Sequence, residues 1–138
     1  SAASDVYKRQ VYWSGTGNTE AMAKAVAEAA GAELFTASEF SAAKADEFDA
    51  IAFGCPAMGA EALEESEFEP MFDGVKSHLA GKKVVLFGSY GWGDGDWMQI
   101  WEDDCRAAGI NLVHDSVICN GEPDAQALAK CKALGAAL

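Results

Sequence analysis

Residues Ser14, Gly15, Thr16, Gly17, Asn18 and Thr19 place three hydroxyls, one amide and two glycines in a row. Such a set can hold an oxyanion without a cation. Hydroxyl and amide groups donate to phosphate oxygens, and glycines let backbone N–H groups close on a ligand. The stretch follows Val11-Tyr12-Trp13, which reads as a strand end, and leads into an apolar stripe at helical spacing, Met22, Ala23, Val26, Ala27 and Ala30. A strand, a turn and a helix in that order put unpaired N–H groups and the positive end of the helix dipole at the turn. A nucleoside-triphosphate loop closes with Gly-Lys-Ser/Thr, whereas Gly17 precedes Asn18 and the next lysine is Lys24. The dinucleotide fingerprint wants a third glycine where this chain has Glu20. Neutral donors alone suit one monophosphate, and a ligand-free turn of small residues is the plainer alternative.

Two later segments carry further chemistry. After the apolar run Ala50-Ile51-Ala52-Phe53-Gly54 comes Cys55-Pro56-Ala57-Met58-Gly59-Ala60-Glu61. After Val84-Val85-Leu86-Phe87-Gly88 comes Ser89-Tyr90-Gly91-Trp92-Gly93-Asp94-Gly95. Trp92 sits between glycines that let it project outward, where an indole can stack on a flat ring. Its plainer role is a packed surface residue. Met58 offers a polarizable thioether for the opposite ring face, although a methionine near a strand end is more often core filler. Trp97, Ile100, Trp101 and Cys105 recur at helical spacing and read as core. Trp13, at a strand end, stands where it could flank the site.

The elements that must position these loops alternate along the chain. A short strand is expected near residues 33–36. Two runs, at 50–54 and 84–88, read as strands buried on both faces. Ser66 and Glu69 have capping-box spacing ahead of a helix carrying Met71, Phe72 and Val75. Residues 112–119 read as the last strand, and Pro123 as the first residue of a final helix carrying Leu128, Cys131 and Leu134. This alternation predicts a parallel sheet with right-handed crossovers and helices on both faces, an α/β three-layer sandwich with five strands ordered 2-1-3-4-5. In such sheets ligands sit beyond the carboxyl ends of the strands where the winding reverses. Strand one should be central, yet Lys8, Arg9 and Gln10 occupy its first half, so it is expected to be weak. Residues 1–5 read as a loose polar leader, and residues 1–10 as a non-native leader or an altered first strand.

Composition narrows the function. The 138 residues suit a single domain, 1–138, and carry a formal charge of −12. That charge repels nucleic acid and favours basic protein partners. No apolar run approaches the roughly 20 residues of a membrane span, and a signal-peptide layout is lacking. Cys55, Cys105, Cys119 and Cys131 lack metal or dithiol spacing and read as reduced thiols of a cytoplasmic protein, and the chain is expected to be a monomer. His78 and His114 lie outside all three loops and read as structural or surface residues.

Together VYWSGTGNTE, the AMG turn, ALEESEFEP and GKKVVLFGSYGWGDG resemble the short-chain flavodoxins, from Val11 to the C-terminus. The resemblance implies a non-covalently bound FMN and one-electron transfer between semiquinone and hydroquinone, for partner redox proteins with basic surfaces, and no enzymatic activity. It assigns the phosphate to residues 14–19, and the ribityl tail to Pro56, Ala57 and Ser89. It assigns the ring to Met58, Gly59, Ala60, Glu61, Tyr90, Gly91, Trp92 and Gly93. Trp92 is the stacking indole, Glu61 accepts from a ring N–H, and the Gly91 N–H faces the pyrimidine edge. Asn120 and Gly121 stand at the outer edge. In the family the Met58–Gly59 peptide rotates toward N5 on reduction, and a hydrogen bond of about 1 kcal/mol shifts the first potential by some tens of millivolts. Pro56 and Ala60 replace residue types common in the family, a hydroxyl and an acid, so one tail contact and the tuning of the turn are altered. Glu61, Glu64, Glu65, Glu67, Glu69, Asp94 and Asp96 would ring the flavin edge. Each charge at about 12 Å in a water-like dielectric costs a flavin anion roughly 0.3 kcal/mol, which lowers the second potential. A small FMN-dependent reductase on the same fold would need a substrate pocket over the ring. A phosphoacceptor receiver domain would need an aspartate closing strand three, where Phe53-Gly54-Cys55 stands.

Overall fold

Alternating runs of strand and helix formers wind the chain into three layers. The computed structural model describes residues 8–12, 17–58, 63–91, 93 and 95–138, the first of these by backbone alone. In chain order the elements are β1 (Lys8–Tyr12), α1 (Asn18–Ala30), β2 (Glu33–Thr36), α2 (Ala42–Ala45), β3 (Ala50–Gly54) and α3 (Phe68–Val75). They continue with β4 (Lys83–Tyr90), α4 (Asp96–Ala107), β5 (Asn111–Leu112), β6 (Val117–Asn120) and α5 (Ala125–Ala136). The sheet is parallel and ordered β2-β1-β3-β4-β5, with β6 also on β4. β1 is central as expected, pairing β2 through Arg9↔Glu33 and β3 through Gln10↔Ala52. The expectations for residues 1–5 and for the side chains of Lys8, Arg9 and Gln10 fall outside the described part. No helix among the described residues is long and apolar enough to cross a membrane.

The core forms two layers, one on each face of the sheet. β3 is buried throughout, as its unbroken apolar run requires. Phe53, Phe68, Phe72, Trp97, Trp101 and Leu86 fill the layer under α2, α3 and α4. Met22, Val26, Ala50, Ala52, Val85, Cys131 and Leu134 fill the layer under α1 and α5.

Four local expectations are corrected. The fifth strand is split: β5 pairs the start of β4 (Val84↔Leu112) and β6 pairs its end (Phe87↔Val117), with residues 113–116 bridging the gap. Pro123 does not open α5, because Asp124 caps that helix by accepting the Ala127 N–H at 2.8 Å. Ile100 is not core but 60% exposed, since its side of α4 faces the cleft toward α3. The box expected from Ser66 and Glu69 does not form. The side chain of the cap residue Glu67 makes no capping bond, and the carboxylate of Glu64 takes the N–H groups of Glu67 and Phe68 instead.

Candidate functional site

The carboxyl ends of β1, β3 and β4 and the N-terminus of α1 converge at the edge where the winding reverses. Gly17 caps α1 with φ 95°, a left-handed conformation that a side chain would strain. Its carbonyl takes the Ala21 N–H at 3.0 Å, so the amides of Asn18 and Thr19 stand in the first turn, where no helical acceptor reaches them. Thr19 is buried, and its hydroxyl meets that of Ser89 at 2.8 Å. One proton of the two is spent in that pair and the other is left for a further acceptor. The two hydroxyls lie 70 residues apart in sequence and join the start of α1 to the end of β4.

Backbone bonds lock the neighbouring strand exits together. The Cys55 N–H donates to Phe87 O at 3.1 Å and the Ala57 N–H to Ser89 O at 2.9 Å, carrying the β3–β4 ladder past the end of β3. The Cys55 carbonyl accepts the Trp97 indole N–H at 3.3 Å, and a Cβ at Gly88 would stand 2.1 Å from that same oxygen. Gly88 is therefore what lets the β3 exit lie on β4. Pro56 and Ala57 are half-buried, while Met58 is 36% exposed at the open side. Tyr90 is half-buried with its ring 5.5 Å from that of Trp97, and its carbonyl accepts the Gly121 N–H at 2.8 Å. Asn120 pairs Tyr90 in register, which places it and Gly121 beside the site. Gly91 and Gly93 are exposed, and Gly91 has open space where a side chain would project. Gly17, Asn18, Thr19, Pro56, Ala57, Met58, Ser89, Tyr90, Gly91 and Gly93 are thus brought to one edge. Ser14, Gly15, Thr16, Gly59, Ala60, Glu61 and Trp92, with Trp13 and Asp94, lie outside the described residues.

Glu64 differs from its acidic neighbours. Its place is expected among the acids ringing the flavin edge, yet it is 5% exposed. Its carboxylate accepts the N–H groups of Ser66 (2.8 Å), Glu67 (2.7 Å) and Phe68 (3.0 Å), together with the Ser66 hydroxyl. Burial alone would raise its pKa, but the Ser66 hydroxyl and the three backbone donors outweigh it and hold the group down at about 2. Glu65, Glu67, Glu69 and Asp96 are exposed. The four cysteines are buried free thiols, and burial pushes Cys55 up to about 12, so it stays protonated. His78 and His114 are exposed, on Asp46 and on the Asp115 carbonyl. No group of three metal-ligating side chains occurs among the described residues.

The donor set fits a phosphate ester on a flat apolar ring. One end offers hydroxyls and helix-start amides, and the other an exposed thioether and glycine backbone. A family model described as Flavodoxin matches residues 11–135. The chain is 46% identical over 133 residues to the flavodoxin of Megasphaera elsdenii, covering 92% of this chain and 94% of that protein. It is 47% identical over 120 residues to the flavodoxin of Clostridium beijerinckii, covering 83% and 86%. The solution structure of two-electron reduced Megasphaera elsdenii flavodoxin matches with a TM-score of 0.84 at 44% identity, over 94% of this chain and 96% of that one.

Proposed function

The chain belongs to the flavodoxin family, and from that premise we propose that it carries single electrons on a non-covalently held FMN between redox proteins without being an enzyme itself. FMN, when bound, supplies a ring that takes up and releases electrons one at a time. The observation that carries the reading is the buried Thr19–Ser89 hydroxyl pair, which ties the start of α1 to the end of β4 and leaves one proton for an anion. Thr19, Asn18 and residues 14–17 hold the phosphate with neutral donors and the helix dipole. Ala57, Pro56 and Ser89 border the tail. Met58 and Trp92 cover the two ring faces and exclude water there, and the Gly91 N–H orients the pyrimidine edge. Tyr90 and Gly93 shape the turn that carries Trp92, and residues 59–61 complete the opposite turn.

Exposed Glu65, Glu67, Glu69 and Asp96, on a chain of net charge −12, favour a partner with a basic rim. The same charges disfavour added negative charge on the ring and support a low second potential. Packing of α1 against α5 through Gly135 supports reading the chain as one domain.

Titrating apoprotein with FMN, followed by flavin fluorescence quenching and then by redox titration, tests the reading. The expected result is one FMN per chain, two separated one-electron steps and negligible steady-state NADH oxidation. A second potential at or above that of free FMN, or sustained NADH turnover, would count against the carrier.

A further inference from the structure

The chain leaves β3 at Cys55 and returns to that same residue nine positions later. The Cys55 thiol donates to the Pro56 carbonyl at 3.5 Å and accepts the Glu64 backbone N–H at 3.4 Å. Cys55 is itself held by its N–H on Phe87 and by its carbonyl under the Trp97 indole. On the far side, the Glu64 carboxylate is spread over the first turn of α3, and the Glu64 carbonyl takes the Glu69 N–H at 2.8 Å. We infer that Cys55 and Glu64 are positioning residues for the flavin: they pin both ends of the segment that carries Met58 and so set the first one-electron potential.

A cap on α3 alone does not call for this arrangement. A short Ser, Asp or Asn at position 67 would satisfy the helix with less buried charge. A carboxylate taken out of water is expensive unless its oxygens are filled. Here four donors and the helix dipole fill them. The longer side chain reaches α3 from three residues before the cap, leaving the Glu64 amide free to lie on Cys55. The cap and the tether are thus one residue. A conformational preference at Met58 can bias the ring only if its ends do not drift to absorb it. This inference rests on the FMN reading above.

Two substitutions separate the parts. Cys55→Ala removes the tether and leaves the carboxylate cap, while Glu64→Gln keeps the size and weakens the cap. In the FMN-loaded protein both variants are expected to change the equilibrium constant of the first one-electron step by roughly tenfold, equivalent to about 59 mV, and the second step far less. In apoprotein the Glu64 amide of Cys55→Ala is expected to exchange its hydrogen faster than in the wild type. Folded variants that bind FMN and reproduce both wild-type potentials overturn the assignment and leave capping as the whole role of Glu64. If Glu64→Gln fails to fold, Cys55→Ala decides alone. A wild-type chain that binds no FMN overturns the functional reading instead, which the amide exchange keeps distinct.

Discussion

The two faces of the sheet are packed with different materials, and each holds its helices in its own way. Under α3 and α4 rings interlock, edge to face for Phe53 on Phe72 at 5.1 Å, Phe68 on Trp101 at 5.4 Å and Phe72 on Trp101 at 5.6 Å, with Phe68 and Phe72 stacked at 6.2 Å. Under α1 and α5 small residues prevail, with Ala23, Ala25, Ala50, Ala52 and Cys131 buried. There the helices meet backbone to backbone, since a Cβ at Gly135 would stand 2.3 Å from the Val26 carbonyl oxygen. Interlocked rings fill one layer, whereas close backbone approach fixes position in the other. The helix fixed in this second way is α1, whose first turn lies at the anion end of the site.

Stability and cofactor affinity should therefore separate by face. Trp101→Ala in the aromatic layer is expected to cost about 3–5 kcal/mol of unfolding free energy in urea, by loss of burial and cavity formation. FMN affinity of the folded variant should stay near wild type, and a large loss of affinity would break the comparison. Trp101→Phe should cost less, because the indole N–H it gives up has no hydrogen-bond partner among the described residues.

On the other face Gly135→Ala sets two effects against each other. Alanine is favoured over glycine by up to about 1 kcal/mol inside a helix, and by less at Gly135, the next-to-last residue of α5. The contact with Val26 reverses that sign, for a net loss of about 1–2 kcal/mol from overpacking. Because α1 must move to relieve the contact, FMN should bind roughly tenfold more weakly, equivalent to about 1.4 kcal/mol. A stabilised variant with wild-type affinity would show that α1 is not set by backbone contact.

The smallest effect concerns acid. Glu64 has a folded pKa of about 2 against an ordinary 4.5, so its contribution is fully present above about pH 4.5 and is lost as the pH falls toward 2. Urea midpoints measured downward from pH 6 should drop more steeply in the wild type than in Glu64→Gln. Equal slopes would mean that the carboxylate does not stabilise the folded α3 side.

Most of this architecture can be read from the residues in order. The run Ala50-Ile51-Ala52-Phe53-Gly54 has no polar position and is too short for a buried helix, so it reads as a strand covered on both faces, and β3 occupies those five residues. The stripe from Met22 to Ala30 has one period and one solution, and all its members are buried. Legibility fails where partners decide. The gap at 113–116 contains no glycine or proline, so no local breaker marks it in the sequence. Ile100 keeps the helical period yet lies over a cleft of about 280 Å³ between α3 and α4, a place that periodicity alone does not distinguish from core. Glu64 stands in an acidic run whose members look alike in sequence. Its distinguishing mark is distance, three residues ahead of a cap residue, Glu67, whose own side chain makes no capping bond. At the candidate site, residue types pointed to the edge where Gly17, Thr19, Ala57, Ser89 and Tyr90 gather. The Thr19–Ser89 bond was not legible, since only the folded chain brings together two hydroxyls 70 residues apart.

The break between β5 and β6 also governs where this scaffold can grow. Each short strand keeps its own register on β4, Val84 with Leu112 below and Phe87 with Val117 above. Extra chain spliced between them would bulge outward from the rim as an appendage and leave both ladders intact. The seam is thus a natural port for grafting a reporter or an added recognition module.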